Sequence, residues 1–279
     1  MDKKWTTVID DDSKKRISIR ELSEYRYMIY MLFKRNYKLI YQQTLLGPLW
    51  LVLGPVFSSG IFSLIFGYIG RFDSDGIPYF LFSITANILW ITFQGCVNKN
   101  ANIFQDNAYL YGKVYFPRLA VPLANMFYAL MSFVVRLLVC AFVWLFYLKR
   151  GQAQFTGMAL AFALICPVLV TVLGTSIGML ISSLSVKYRD LAKGTGFIVQ
   201  LFLYTSPVIY STAQIPEKIR FLFYINPLTG FIECFRYGFT GAGKLNISSF
   251  VVSLITTVVI TVISVVVYER ISRDAVDIV

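Results

Sequence analysis

The sequence predicts an all-α membrane protein with six transmembrane helices, an amino-terminal amphipathic interface helix, and short re-entrant helices between spans five and six. Of the 279 residues, 57% are apolar, and the mean hydropathy is +0.64, too high for a soluble domain of this length. Six apolar stretches are long enough, or nearly so, for the roughly 20-residue helix that crosses a bilayer. A further apolar stretch is interrupted by prolines, so it cannot be one continuous span.

The amino-terminal segment, residues 1–47, is predicted to be cytoplasmic and to contain the amphipathic helix. Residues 1–17 are charged and are expected to be loosely held. The apolar run 27–33 is followed by three cations, Lys34, Arg35 and Lys38. This pattern is typical of a helix lying in the membrane interface, with aromatic rings toward the acyl chains and cations toward phosphates. A simple membrane anchor is the alternative to a functional helix.

Residues 48–279 form the predicted six-span domain. The spans are Pro48–Ile69, Ile77–Val97, Pro122–Leu148, Phe155–Ser182, Thr195–Tyr210 and Ser248–Tyr268. With the amino terminus inside, 18 of the 26 Lys and Arg residues fall in cytoplasmic segments, so both termini are predicted to be cytoplasmic. The net charge of +11 fits anionic lipid headgroups, and no separate basic domain suggests nucleic-acid binding.

The segment 206–236 is apolar and aromatic, yet its pieces are too short to span a bilayer. Pro207, Pro216 and Pro227 each remove a backbone donor and favour breaks between short helices. Broken backbone at membrane depth survives only against protein or a water-lined cavity. The segment is therefore predicted to dip into the outer membrane edge and return, as a pore mouth does.

The predicted spans contain no Asp or Glu, and the chain has no His. Proton- and sodium-coupled carriers usually keep ionisable groups at membrane depth to bind the driving ion. An ion-coupled carrier is therefore disfavoured, and uphill transport would need energy from a partner.

Two motifs that suggest nucleotide chemistry are weak. Gly238–Lys244 matches most of a phosphate-binding loop, but Leu245 replaces the magnesium-binding Ser or Thr and no strand precedes it. Asp73 and Asp75 resemble the paired aspartates of some glycosyltransferases, but they occupy a short outer loop where a solvated turn is expected. The four cysteines show no metal-ligand or disulfide spacing and are expected to be buried packing residues. No enzymatic activity, metal or cofactor is predicted for this chain.

Arg136 lies near the middle of the third predicted span. A guanidinium at that depth costs several kcal/mol unless it faces protein or water. It either lines a conduit for an anionic cargo or bonds to neighbouring groups at a helix interface. The sequence leaves both interpretations open.

Four motifs together resemble ABC-2-type permeases that export polysaccharides. Tyr41–Trp50 is similar to the family's RYxxSxLGxLW motif before the first span, although Ile40 stands where the family has Arg. Tyr115–Arg118 resembles the YFPR motif, and Tyr188–Leu191 resembles the YRD motif, of the two cytoplasmic loops. The outer segment matches in order and spacing through Ser206–Tyr210, Ile215–Glu217, Asn226–Gly230, Glu233 and Phe235-Arg236.

The resemblance implies a membrane subunit that exports a lipid-linked polysaccharide of the O-antigen, capsule or teichoic-acid type across the bacterial inner membrane. Two copies would form the conduit as a homodimer, and two copies of a separate ATPase, which binds Mg-ATP, would drive it. A drug or small-lipid exporter of the same family is the alternative cargo class. A membrane glycosyltransferase is disfavoured by the outer position of the Asp73 turn.

The resemblance also assigns roles to particular residues. The site where the polyprenyl-pyrophosphate-linked glycan enters is expected at Arg35, Lys38 and Tyr41. ATPase coupling is expected at Tyr115, Phe116, Pro117, Arg118, Tyr188, Arg189 and Asp190. The outer gate is expected at Pro207, Tyr210, Pro216, Pro227, Glu233 and Arg236, where the one-turn spacing of the last two allows them to pair. Arg118 and Arg189 are alternatively only the positive charges of cytoplasmic loops.

Overall fold

A computed structural model describes residues 19–42, 45–111, 116–154, 156–188, 190–243 and 245–274. Within these ranges the regular structure is entirely helical, which confirms the predicted all-α class. The helices are α1 (Ile19–Glu24), α2 (Arg26–Tyr41), α3 (Trp50–Phe62), α4 (Tyr79–Ala101), α5 (Ile103–Asp106), α6 (Ala108–Tyr111), α7 (Ala120–Lys149), α8 (Gly157–Lys187), α9 (Asp190–Phe202), α10 (Glu217–Ile225), α11 (Pro227–Thr240) and α12 (Ile247–Asp274).

Five helical segments in the described part of the chain are long and apolar enough to cross a membrane. They are Gly47–Ile69, Tyr79–Ala101, Ala120–Lys149, Leu160–Lys187 and Ile247–Ser272. The first joins α3 to a π-helical turn, Ser63–Ile69. Several helices run past the predicted apolar limits, because backbone hydrogen bonding continues into the more polar ends of a span.

The fifth predicted span, Thr195–Tyr210, differs most from the structure. Helix α9 starts earlier, at Asp190, and ends at Phe202, so at 1.5 Å per residue it is about 20 Å long. A 3₁₀ turn continues to Thr205, and the chain then becomes extended at Ser206, before Pro207. Apolar composition continues beyond this point, but the backbone of the residue before a proline is driven out of the helical region.

Helix α4 forms the centre of the bundle. In an apolar stretch of 18 residues within α4, 78% of the stretch is buried inside the bundle. The corresponding share is 11% for the first span and 17% for the last. Gly174 and Gly178 on α8 permit close approach to α4, since a Cβ on Gly178 would lie 2.6 Å from Asn100 Cβ and 2.8 Å from the Val97 carbonyl oxygen. Small residues four apart are a common device for packing helices inside membranes. The four cysteines are buried, as predicted.

One end of the bundle carries a second hydrophobic cluster where α2 packs against the long helices. Leu32 of α2 is buried there with Phe116, Met179 and Tyr268, and the Phe104 and Tyr268 rings stack at 5.3 Å. Tyr27 and Tyr30 lie on the exposed face of α2. We call this end, comprising α2, residues 102–111 and 116–119 and the start of α9, the clasp end.

The opposite end brings together three segments that are distant in sequence. Residues 70–78 join the first span to α4, residues 150–154 and Thr156 join α7 to α8, and residues 206–243 lead toward α12. The Gln154 backbone N–H donates to the Thr240 carbonyl at 3.3 Å, and Ser211 Oγ donates to Asp75 Oδ1 at 2.7 Å. We call this end the cavity end.

Candidate functional site

The junction between α9 and α11 is held by Asn226. Its side-chain oxygen caps α11 by accepting from the Leu228 backbone N–H at 3.0 Å, and Pro227 occupies the first turn, where a missing donor costs nothing. Its amide nitrogen donates to the Thr205 carbonyl and to Ser206 Oγ, each at 3.0 Å. The break in the chain after α9 is therefore fixed to the start of α11.

Arg236 is the central charged group of the cavity end. Only 3% of the residue is exposed. Its Nη2 donates to the Pro207 carbonyl at 2.7 Å, and its guanidinium lies 3.6 Å from the centre of the Phe82 ring. A desolvated cation over an aromatic face is attracted to the negative centre of the ring. Two predicted gate residues, Pro207 and Arg236, are thus in direct contact.

Glu233 lies one turn before Arg236 on α11, but its hydrogen bond is made elsewhere. Its Oε1 accepts from Thr212 Oγ1, at the first residue of the 3₁₀ turn Thr212–Gln214. Glu233 Oε2 and Arg236 Nε are buried and have no hydrogen-bond partner among the described residues. The spacing therefore places both charges in one region without a direct hydrogen bond between them.

The cavity end contains a cavity of about 790 Å³. Glu233 and Arg236 line it from α11, and Arg220 and Tyr224 line it from α10. Asp75 reaches it from a turn in which its own φ of 56° and the Gly76 φ of 81° are left-handed. The remaining lining comes from Ser211, Thr212, Ala213, Ala242, Gly243, Leu245, Asn246 and Ile247.

The charges around this cavity affect one another. Burial raises the pKa of the Glu233 carboxyl and nearby Asp75 raises it further, whereas the Thr212 hydrogen bond and the Arg236 charge lower it. Burial lowers the pKa of the Arg236 guanidinium to about 10, although Asp75 and Glu233 act in the opposite direction. Asp75 therefore belongs to the same electrostatic group as the two residues of α11. The sequence pattern does not indicate this grouping, because Asp75 lies 158 positions from Glu233.

The other predicted gate residues shape the walls near this cavity. The Tyr210 hydroxyl donates to the Tyr204 carbonyl at 2.7 Å, and its ring meets Phe223 of α10 edge to face at 5.9 Å. Pro216 immediately precedes α10, where its fixed φ suits a helix start. Pro216 and Pro227 thus stand at the starts of α10 and α11.

At the clasp end, a row of asparagines joins α2 to the bundle. Asn36 Nδ2 donates to Asn125 Oδ1 at 2.9 Å, and Asn125 Nδ2 donates to Asn100 Oδ1 at 3.1 Å. Asn100 Nδ2 in turn donates to the Cys96 carbonyl at 2.8 Å. All three asparagines are at most 5% exposed. We call Asn36, Asn125 and Asn100 the asparagine clasp, which sequence patterning did not indicate.

The residues predicted to receive the cargo lie on α2. Arg35 Nη2 donates to Asn107 Oδ1 at 2.8 Å, so this cation is tied to the segment after α4. Lys38 is exposed. The side chain of Tyr41 lies outside the described residues.

The residues predicted for ATPase coupling occupy the clasp end. Phe116 is only 4% exposed and packs in the second hydrophobic cluster, and the Pro117 carbonyl accepts from the Ala120 N–H at the start of α7. Arg118 is part-buried. Tyr188 directly follows the last residue of α8 and is 56% exposed, and Asp190 begins α9. Tyr115 and Arg189 lie outside the described residues.

Two polar contacts lie within the long helices. Arg136 Nη1 on α7 donates to Thr92 Oγ1 on α4 at 3.0 Å, a contact that favours the helix-interface interpretation of this charge. Gln94 Nε2 on α4 donates to Gln200 Oε1 on α9 at 3.2 Å, and this pair is exposed on the single chain. An exposed amide pair in a membrane helix bundle calls for water or another protein surface beside it.

Comparison with known proteins gives a consistent result. The ABC-2 type transporter family model matches residues 27–240. Two Klebsiella pneumoniae proteins named O-antigen export system permease protein RfbA are 25% and 26% identical over 245 residues, covering 87% of this chain and 91% of each relative. A Myxococcus xanthus protein of the same name is 26% identical over 220 residues, covering 78% of this chain and 82% of the relative. Because the family model spans most of the helical bundle, the chain belongs to the ABC-2 type transporter family.

Proposed function

We propose that this chain is the membrane subunit of an ABC transporter that exports a lipid-linked polysaccharide of the O-antigen type across the cytoplasmic membrane. The observation that carries the proposal is the similarity to O-antigen export permeases over 87% of the chain. All three relatives described above bear that name, which favours polysaccharide over a drug or small lipid as the cargo.

In this proposal the chain crosses the membrane six times, with α9 as the short fifth span. Helix α9 begins just after α8 ends, at the clasp end. Ser211, nine residues beyond the end of α9, contacts Asp75 at the opposite end, so this part of the chain travels the length of the bundle. The excess of Lys and Arg in the segments at the clasp end supports a cytoplasmic position for that end and for both termini.

Helix α2 then lies in the cytoplasmic interface, and α10 and α11 form the outer re-entrant segment. The exposed tyrosines of α2 would face the acyl boundary, and Lys38 would attract the pyrophosphate headgroup of the cargo. Arg35 contributes less directly, because it also holds Asn107.

A homodimer would enclose the conduit between two copies. The exposed Gln94–Gln200 pair on α4 and α9 supports this face as part of the lining, since sugar hydroxyls and water satisfy amides that lipid does not. Arg136 is a second candidate for lining the conduit, because its side chain is partly exposed. Its hydrogen bond to Thr92 also stabilises the contact between α4 and α7.

Two copies of a separate ATPase would bind Mg-ATP and contact the clasp end. Tyr188 and Asp190 are exposed there and are available to a partner, whereas Phe116 supports the loop from inside. The asparagine clasp would transmit a movement of α2 to α4 and α7, because its buried hydrogen bonds resist separation.

The test is the distribution of polyprenyl-linked glycan across the inner membrane after depletion of this protein. We expect polymer to accumulate on the cytoplasmic leaflet and to disappear from the cell surface. Unchanged surface glycan would contradict polysaccharide export and direct attention to drug or lipid cargo. Re-expression of the wild-type chain is the control for indirect effects of depletion.

A further inference from the structure

The cavity at the cavity end has the dimensions and the chemistry of a ligand site. Its volume of about 790 Å³ falls within the roughly 300–1,000 Å³ that small-molecule sites occupy. It is built from separate parts of the chain, namely the Asp75 turn, the segment after α9, helices α10 and α11, and residues 242–247. A ligand here would contact segments on several sides of the point where the helix ends after α9.

Both arginines that line the cavity already donate hydrogen bonds to backbone carbonyls nearby. Arg220 donates through Nε and Nη2 to the Ile215 carbonyl, at 3.1 and 2.8 Å. Arg236 donates to the Pro207 carbonyl and covers the Phe82 ring. Against these cations stand Asp75 and Glu233, so the formal charges of the described lining residues balance. A balanced site does not select strongly for a phosphate or for a metal ion, and it suits an uncharged polar ligand.

Two buried atoms of residues that line the cavity have no hydrogen-bond partner among the described residues. They are Glu233 Oε2, an acceptor, and Arg236 Nε, a donor. Buried polar groups in folded proteins are nearly always bonded, and an unpaired one carries a desolvation cost. A hydroxyl group both donates and accepts, so a polyhydroxylated ligand is able to satisfy atoms of both kinds. Tyr224 adds an aromatic side chain, whose apolar face suits the C–H surface of a sugar ring.

We propose that this cavity binds a neutral sugar unit, with hydroxyls donating to Glu233 and Asp75 and accepting from Arg236. The proposal deepens the proposed function and rests on it, because the cargo supplies the sugar and the membrane orientation places this end outside. The emerging glycan would be held briefly at the outer end by one subunit. Each subunit of the dimer would carry such a site.

The experiment measures sugar binding by the purified full-length protein in lipid nanodiscs. The probes are galactose, mannose and N-acetylglucosamine, each titrated while ligand-detected NMR saturation transfer is recorded. Glu233→Gln and Asp75→Asn keep the side-chain shapes and remove the carboxylate charge. We expect binding of at least one probe by the wild type, and about ten-fold weaker binding by each variant, as the loss of a hydrogen bond to a charged group predicts.

Asp73→Asn is the matched control, because Asp73 is exposed on the same turn and is not among the residues that line the cavity. It should bind the probes like the wild type. Thermal unfolding of every variant in the same nanodiscs checks that weaker binding does not reflect an unfolded protein. If Glu233→Gln and Asp75→Asn retain wild-type sugar binding while folded, the sugar does not use this cavity and the proposal is overturned.

The readouts separate this inference from the proposed function. A wild type that exports glycan in cells but binds none of the three sugars overturns the site and leaves the function standing. Sugar binding that depends on Glu233, in a chain whose depletion leaves surface glycan unchanged, keeps the site and overturns glycan export. A parallel titration with CaCl₂ tests whether the cavity binds a cation instead. If calcium stabilises the wild type but not Glu233→Gln against thermal unfolding, and the wild type gives no sugar signal, the sugar assignment is overturned.

Discussion

The two ends of the bundle bury polar side chains in opposite ways. At the clasp end, Asn36, Asn125 and Asn100 form a continuous chain of hydrogen bonds that ends on a backbone carbonyl. At the cavity end, Glu233 and Arg236 are charged, and each keeps a buried atom without a partner in the described structure. The first arrangement is neutral and bonded throughout, whereas the second is charged and incomplete.

This difference indicates different tasks. A satisfied buried network favours one arrangement of its helices, because every displacement costs hydrogen bonds in a low-dielectric interior. A charged site with unpaired buried atoms is stabilised when a ligand or a movement supplies the missing hydrogen-bond partners. In the proposed function, the clasp end would therefore transmit force, and the cavity end would bind a ligand or change shape.

Arg236→Ala is expected to have the largest effect on stability and export, because it would destabilise the cavity end. It removes a charged hydrogen bond to the Pro207 carbonyl and a desolvated cation–π contact with Phe82, together about 3–5 kcal/mol. We expect a lower thermal unfolding midpoint and lost export. Arg236→Lys is the milder control: it keeps the charge and should retain ATPase co-purification while export falls. Loss of ATPase association in folded Arg236→Lys would contradict a role confined to the outer gate.

Breaking the asparagine clasp should have the next largest effect. Asn125→Leu leaves Asn36 Nδ2 and Asn100 Oδ1 without their partner, at about 1–3 kcal/mol for each orphaned group. The measurement is thermal unfolding together with limited proteolysis near α2. Adding Asn36→Leu should cost less than the sum of the single changes, because the two residues share one bond. Strict additivity would show that the two residues act independently.

Variants of Arg35 and Lys38 would distinguish a structural role from a cargo-binding role on α2. Arg35→Ala should lower stability by about 1 kcal/mol, because it removes the hydrogen bond to Asn107. Lys38→Ala is the matched change at an exposed cation and should leave the unfolding midpoint within experimental error. If Lys38 receives the headgroup, its loss should still reduce export in cells. Wild-type stability in Arg35→Ala would refute the structural role of Arg35. Wild-type export in Lys38→Ala would refute the cargo-binding role of Lys38.

The smallest effect on stability is expected at the exposed glutamine pair. Gln200→Leu should change the free energy of unfolding by less than about 0.5 kcal/mol, yet it should slow glycan export if α4 and α9 line the conduit. Ile198→Ala is the control, because it alters another exposed position on α9. Export at the wild-type rate in Gln200→Leu would remove this face from the conduit.

Much of the fold follows from local properties of the sequence. Apolar length predicts the five long helices, because spanning a bilayer requires a minimum number of apolar residues. Proline chemistry predicts the starts of α10 and α11, since Pro216 and Pro227 stand where a helix tolerates a missing donor. Hydropathy predicts a fifth span at Thr195–Tyr210, but helix α9 covers Asp190–Phe202, because apolar composition continues through the break before Pro207 although the helix does not.

The sequence by itself therefore determined that this protein is a helical membrane protein, where its chain breaks, and which family it resembles. Only the tertiary structure decided that Asp75 joins Glu233 and Arg236 around one cavity, and that Asn36 bonds Asn125 across 89 positions. The physical reason is one of range. Hydropathy and backbone preferences act between near neighbours, whereas the partner of a buried polar group is chosen by how whole helices pack.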